Sequence, residues 1–175
     1  MQTQFDYLIV GGGSAGCVLA ARLSENPQMQ VALIEAGGTN DRLLNRIPIG
    51  AALHVRGRNA YNWAFETVPQ SGLNGRRGYQ PRGRGLGGSS TINAMCFIRG
   101  QRQDFDHWAA QGAAGWSWRD VLPLFIEMEN NERGASAWHG SGGPLHVADL
   151  RSPNPFQKIF IQAAQEAGIP FNPDF

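Results

Sequence analysis

Short apolar runs bounded by glycine dominate the first part of the chain. Phe5-Asp-Tyr-Leu-Ile-Val10 is apolar and β-branched toward its end, which predicts a buried parallel strand. Gly11-Gly-Gly-Ser-Ala-Gly16 follows directly. Ala15, Val18, Leu19 and Leu23 then fall near one helical face, predicting a helix from about Ser14 to Glu25 that Asn26-Pro27 stops. Val31-Ala-Leu-Ile34 predicts a second buried strand, ended by Glu35-Ala-Gly-Gly38. Together they form one right-handed βαβ unit in about thirty residues.

The later pattern is more varied. Thr39 to Ile49 is mixed, with a break at Pro48. Trp63, Phe65 and Thr67 alternate with Ala64 and Glu66, predicting a strand. Residues 70–88 are rich in glycine and arginine, and Asn74-Gly75 marks a turn. Ser89 or Ser90 is placed to cap a short helix over Ile92 to Cys96. Asp104 is expected to cap a helix carrying Phe105, Trp108 and Ala109 and ending at Gly112. Ser117 and Asp120 form a capping box before Val121, Leu122, Phe125 and Met128. Pro123 predicts a kink there, or two short pieces. A short strand is expected around Leu145–Ala148. Phe156, Ile159, Phe160, Ala163, Ala164 and Ala167 make the cleanest helical stripe, expected to pack on the core, with Gly168 and Pro170 closing it. Only two runs read as parallel-sheet strands, whereas a doubly wound sheet has five or six. The sheet is therefore expected to be incomplete.

Composition narrows the class. The 175 residues include five Trp and nine Phe, with 42% hydrophobic residues, enough for a real core. Gly is 23 of 175, well above the usual ~7%. A net charge of +1 argues against bulk binding to nucleic acid. No apolar run reaches the ~20 residues of a membrane helix, and Met1-Gln-Thr-Gln4 has no basic region of a secretory signal. Peripheral attachment at the inner membrane stays open. Cys17 and Cys96 make neither a disulfide scaffold nor a metal cluster. Cys17 is expected to pack as a small apolar residue, and a reduced cytoplasmic setting is the simplest reading.

Gly11, Gly13 and Gly16 form G-x-G-x-x-G in its proper setting, after a strand and at the start of a helix. The first glycine permits the tight turn, the second lets the backbone approach a pyrophosphate, and the third lets helix and strand pack closely. The phosphates then meet the positive end of the helix dipole. Glu35 ends the second strand 19 residues after Gly16, where a carboxylate accepts hydrogen bonds from an adenosine ribose. An acid there disfavours a 2′-phosphate. This turn does not separate FAD from NAD. Gly83-Arg-Gly-Leu-Gly-Gly-Ser-Ser-Thr-Ile-Asn93 adds a second nest of backbone N–H groups, suited to the flavin end or the second phosphate of a long dinucleotide.

At these residues the chain resembles the N-terminal part of the glucose–methanol–choline (GMC) family of flavoprotein oxidoreductases. The resemblance rests on residues 5–16, Glu35-Ala-Gly37, Asn62-Trp63 and Gly83-Arg84-x-Leu86-Gly-Gly-Ser-Ser-x-Ile92-Asn93. It continues through Asp104-Phe-Asp-x-Trp108, Gly115-Trp116, Val121-Leu-Pro-x-Phe125 and His139-Gly-x-Gly-Gly-Pro144. Within the family the chain is most similar to bacterial choline and aliphatic alcohol dehydrogenases. The resemblance implies an α/β, Rossmann-like FAD-binding βαβ domain over residues 1–135. Residues 136–175 are then the start of a substrate-side region. It implies that Gly11, Gly13, Ser14, Ala15 and Gly16 hold the FAD pyrophosphate. Glu35 takes the ribose, with Ala36 beside it, and Trp63 belongs to the cofactor-binding set. Arg84, Gly85 and Gly88 pass near the phosphates. Asn93, Ala94, Met95 and Cys96 lie against the flavin. Where some members attach flavin through a His before the Asn, this chain has Ile92, which implies noncovalent FAD.

The implied reaction is hydride transfer from the CH–OH carbon of a small primary alcohol to FAD. The family's catalytic His lies far toward the C-terminus. His54, His107, His139 and His146 match no catalytic position, so no catalytic residue is assigned, and the chain alone is expected to be inactive. No metal is expected, and the electron acceptor is not specified. Eight arginines lie between Arg56 and Arg102 against one acid, Glu66. They either compensate phosphate and flavin charge or pair with acids elsewhere and face water. Trp108, Trp116 and Trp118 are expected in the core. An exposed final stripe would promote self-association. Two other classes stay open: an NAD-dependent Rossmann enzyme, which leaves the second glycine block without a purpose, and a non-catalytic nucleotide-binding module needing a partner chain.

Overall fold

The computed structural model describes residues 4–39 and 43–174. The expectations placed on Met1–Thr3 lie outside the described residues. The backbone divides into two compact units, Met1–Cys96 and Phe97–Phe175. The expected boundary at 135/136 lies inside the second.

The first unit opens with β1 (Tyr7–Val10), α1 (Ser14–Leu23) and β2 (Val31–Ile34). β1 and β2 pair in parallel, Tyr7 with Val31 through Val10 with Ile34. This is the βαβ unit expected from the apolar runs. Its sheet has two strands, and its apolar faces are largely open. Leu8 is 59% exposed, Val10 79%, Val18 60% and Ile34 53%. The strands were expected to be buried; among the described residues they are covered only in part, with Ile9, Val31, Ala32 and Leu33 half-buried.

Two helices follow, α2 (Leu43–Arg46) and α3 (Pro48–His54), then an antiparallel pair, β3 (Phe65–Glu66) with β4 (Tyr79–Gln80). The loops between them hang on Asn62, which is fully buried. Its Nδ2 donates to the carbonyls of His54 and Gly57 and to the Tyr79 hydroxyl, and its Oδ1 accepts the amides of Ala64 and Arg82. A buried amide with both ends used costs nothing in lost hydrogen bonds and fixes the chain on either side. Trp63 is the neighbour so fixed.

The second unit contains α4 (Arg102–Ala110), α5 (Trp118–Met128), β5 (Glu129–Asn131), β6 (Leu145–Val147) and α6 (Pro155–Glu166). Asp104 does not cap α4 as expected. Gln101 is the N-cap, and Asp104 stands at the third helical position, where Oδ2 accepts the Gln101 amide at 2.9 Å. The Ser117/Asp120 capping box forms as expected. Pro123 does not split α5. It stands inside one helix, where it forfeits a single backbone donor, and aromatic packing holds the segment. Phe105 lies 5.7 Å from Phe125 and 5.6 Å from Trp118 between ring centroids. Trp108 and Trp116 join this cluster at its edge, about half exposed.

β5 and β6 pair in parallel, Glu129 with Leu145 and Asn131 with Val147. Glu129 is fully buried. Its carboxylate takes the Arg99 guanidinium, the Asn131 amide at 2.8 Å and His139 Nδ1 at 2.9 Å. His139 Nε2 meets Asp174 at 2.7 Å. Gly140 and Gly143 pass so close to the end of α5 that a Cβ on either would collide with its backbone. The stripe of α6 does not pack on a core: Phe156, Ile159 and Phe160 are 73%, 60% and 75% exposed.

Candidate functional site

The site grows from the turn after β1. Gly11 has φ +102° and donates to the Ile34 carbonyl at 2.7 Å, which closes the strand pair and needs glycine. A Cβ on Gly16 would collide with the Gly11 carbonyl oxygen, so the third glycine serves close packing. Gly13 is the N-cap of α1 with no side-chain cap, and the first turn carries no acid. The first-turn amides of a helix have no intrahelical partner. Those of Ser14, Ala15 and Gly16 therefore form an anion-ready end. Cys17 is half-buried, its Sγ 3.2 Å from the Gly12 carbonyl.

The second glycine block lies against the first. Gly87 donates to the Gly12 carbonyl at 2.7 Å and pairs with Gly13 as an isolated parallel bridge. A Cβ on Gly88 would stand 2.9 Å from Gly13 Cα. The helical turn in this block comes earlier than expected. A 3₁₀ turn covers Gly88–Thr91, and residues 94–100 are irregular. The cause is local hydrogen bonding. The Ser90 and Thr91 hydroxyls donate back to Gly87 and Gly88, while Ser89 accepts the Gly83 amide. Asn93 Oδ1 then accepts the Met95 amide at 2.8 Å, and Met95 adopts φ +58°. A left-handed residue there ends any right-handed helix.

Glu35 joins the blocks. Its Oε2 accepts the Gly12 amide at 2.6 Å, and its Oε1 accepts Gly37 at 2.8 Å and Gly85 at 3.0 Å. The Gly37 N–H, above all, holds this carboxyl below the usual range. Burial opposes that shift, and the Gly12 and Gly85 N–H groups add to it. Arg84 donates to the Ala36 carbonyl at 3.1 Å and stacks 4.7 Å from the Trp63 ring centre. Trp63 in turn lies parallel to Phe65, 5.9 Å away.

These walls enclose an open groove of about 500 Å³. Of the expected residues, Gly11, Gly13, Glu35, Ala36, Trp63 and Gly88 line it. Gly85 and Arg84 brace the walls through Glu35, Ala36 and Trp63. Asn93, Ala94, Met95 and Cys96 are exposed and lie outside the lining. Sequence reasoning missed Val10, Ile34, Phe65, Arg82, Gly83 and Ser89 as lining residues; the strand ends and the Trp63–Phe65 alternation were the available signals. It also missed Gly12 and Gly37, whose amides orient Glu35. None of the four histidines lines the groove. His54 is buried against Tyr61, His107 pairs with Gln111, and His139 serves the Glu129 cluster.

The groove fits a dinucleotide. A Cβ on Gly11 or Gly13 would meet no protein atom within 4 Å, so both glycines leave space that a side chain would fill. That bare backbone adjoins the uncapped helix end, where a phosphate finds donors. Among the described residues no cluster of three or more metal-ligating side chains is present.

The family model of GMC oxidoreductase matches residues 5–175. An alcohol dehydrogenase [acceptor] of Pseudomonas putida is 48% identical over 172 residues, covering 98% of this chain and 31% of that protein. An oxygen-dependent choline dehydrogenase of Xanthomonas euvesicatoria is 48% identical over 97% of this chain and 30% of its own length. The crystal structure of pyridoxine 4-oxidase from Mesorbium loti superposes with a TM-score of 0.84 at 40% identity, covering 93% of this chain and 32% of that one. The chain thus spans about a third of the length of the relatives it matches. A flavin cofactor is implied by these matches. With its two glycine blocks meeting in one groove and the match running from Phe5 to its last residue, the chain belongs to the GMC oxidoreductase family.

Proposed function

We propose that this chain is the FAD-binding part of an oxidoreductase acting on the CH–OH group of a primary alcohol, choline-like or aliphatic. One observation carries the reading: two glycine blocks about seventy residues apart in sequence share one groove, bridged at Gly13 and Gly87. An NAD-type turn alone gives no reason for the second block. The first turn of α1 receives the pyrophosphate, and the 83–91 segment flanks it. Trp63, stacked under Arg84, walls the nucleoside end beside Glu35 and Ala36. Asn93 to Cys96 are assigned to the flavin side. When bound, FAD supplies the electron sink for hydride removal from a carbinol carbon.

The attachment is noncovalent. Ile92 has no nucleophile, and its side chain is 5% exposed, packed inward. The general base that takes the hydroxyl proton is not assigned to this chain, so alone it binds FAD without turnover. The bare faces of β1, β2 and α6 support a role as part of a larger assembly, through further polypeptide or self-association. A cytoplasmic location, with peripheral association at the inner membrane, completes the reading. Among the described residues no helix is long and apolar enough to cross a membrane.

Refolding the chain with FAD tests this. Flavin absorbance is expected to co-elute with protein on gel filtration and to pass into the supernatant after acid precipitation. Protein that stays colourless at every FAD concentration, or that binds NADH instead, sinks the reading. Yellow colour retained in the pellet refutes the noncovalent attachment alone.

A further inference from the structure

We propose that Glu35 is a positioning residue, binding the two glycine blocks to each other before any cofactor arrives, and that this tie outweighs a ribose contact in what the residue contributes to nucleotide binding. The ligand arm rests on the dinucleotide reading above; the structural arm does not.

The argument starts from the hydrogen-bond capacity of a carboxylate, about four acceptor positions. Three are taken by the chain's own amides, from Gly12, Gly37 and Gly85. Gly12 and Gly85 are buried residues. An acceptor removed from buried N–H groups leaves them unsatisfied, and that penalty exceeds the net worth of the bonds themselves. Packing cannot replace the tie, because the two blocks meet backbone to backbone. A Cβ on Gly37 would collide with the Gly85 amide nitrogen, and one on Gly88 would crowd Gly13. Apart from Leu86, whose side chain lies over Gly12, the blocks bring no side chains that interlock. Cohesion therefore falls to polar bonds: Gly87 to Gly12, Leu86 to Gly38, Arg84 to Ala36, and the Glu35 carboxylate. Of these, the carboxylate alone reaches three separate segments, and charge makes its bonds the strongest. Its lowered pKa, due first to the Gly37 N–H, agrees with a role filled without ligand.

The test uses the 175-residue chain without cofactor, with Glu35→Gln beside it. In amide hydrogen exchange, Gly12 and residues 84–88 are expected to lose protection together in the variant, about tenfold or more. The β1–β2 ladder should keep its protection. Unchanged exchange at both blocks overturns the proposal. In the ligand arm, ADP and 2′,3′-dideoxy-ADP are titrated into both proteins. The variant is expected to weaken both by the same factor, within about twofold. A wild-type preference for ADP of about tenfold or more that vanishes in Glu35→Gln overturns the proposal in favour of a ribose contact. If the variant does not fold, the wild type decides. Protected Gly12 and Gly85 amides with equal affinity for the two ligands support the tie; unprotected amides or a strong hydroxyl preference refute it. Wild-type protein that binds neither ADP nor FAD fails the dinucleotide reading, while the exchange arm still decides the tie.

Discussion

Each unit of the chain is organised around a carboxylate, and the two are held by different chemistry. Glu35 in the first unit is cradled by three backbone N–H groups. Glu129 in the second is cradled by side chains: Arg99, His139 and Asn131. The backbone cradle puts no side chain between the carboxylate and the groove it lines. It can therefore shape a cleft for a ligand whose phosphates need bare amides. The side-chain cradle needs no cleft. It ties the end of α5, the 97–101 segment and Asp174 within its own unit, and it places charged groups out of water. Burial pushes the Glu129 carboxyl up most of all, but the bonds from Asn131 and His139 and the Arg99 charge outweigh it and leave it lowered.

The largest effect should come from breaking the side-chain cradle. Glu129→Ala leaves Arg99 without its buried partner, which costs about 3–5 kcal/mol. Urea unfolding of the chain, followed by tryptophan fluorescence, measures it. Arg99→Met with Glu129→Leu should recover much of that loss, because well-packed apolar pairs of similar volume replace buried ion pairs at little cost. A single-variant loss below about 1 kcal/mol would reduce the cluster to the worth of a surface pair.

The backbone cradle breaks sterically instead. A Cβ on Gly37 would overlap the Gly85 amide, so Gly37→Ala should cost about 1–3 kcal/mol, as overpacking does, and should weaken FAD binding. Gly38→Ala is the paired control. There an added Cβ meets nothing within 4 Å, and stability should change by no more than about 0.5 kcal/mol. Calorimetry and FAD titration on both variants give the contrast; equal effects would remove the close approach as the cause.

The two cradles also differ in legibility from sequence. The βαβ unit was readable because its apolar runs, glycine spacing and Asn-Pro stop all agree. The position of Glu35 was readable from spacing, but its bonds to Gly12, Gly37 and Gly85 were not, since backbone donors leave no mark on residue type. β5 went unread for a related reason. Glu-Asn-Asn has no strand pattern, and its buried member is a carboxylate satisfied by residues distant in sequence. The α6 stripe was the clearest helical signal, yet it lies exposed. Periodicity specifies a helix and its apolar face, not whether this chain supplies the cover. Pro123 marked a kink or a split; the split is absent, since aromatic contacts outweigh one lost donor.

Titration separates the cradles more gently. Glu35 and Glu129 both have lowered folded pKa values, so each adds stability that is present above the unfolded value, about 4.3, and is lost as pH falls through the folded one. His139 is raised, chiefly by its hydrogen bond to Asp174, with burial opposing and Glu129 assisting. Its contribution is complete below about 6.5 and is lost as pH rises through the raised folded value. The second unit should therefore weaken at both ends of the scale, and the first at the acid end only. Exchange protection of β5–β6 against β1–β2, from pH 3 to 9, reads this. His139→Gln should flatten the alkaline fall in β5–β6, and a fall that persists in the variant would remove His139 as its source.

The smallest effect belongs to α6. Asn154 caps this helix, its Oδ1 accepting the Phe156 amide at 3.0 Å. Losing such a cap costs a helix about 1 kcal/mol. Because the stripe of α6 stays in solvent, the cost should remain local. Asn154→Ala should speed amide exchange through 156–166 several-fold while the urea midpoint of the chain hardly moves. If the midpoint falls by the full cap energy, α6 unfolds together with the Glu129 cluster, and the second unit is one cooperative body. If only α6 responds, the unit's stability resides in the buried charges around Glu129 and the aromatic cluster beside them, and the helix is an attachment still waiting for a surface to cover it.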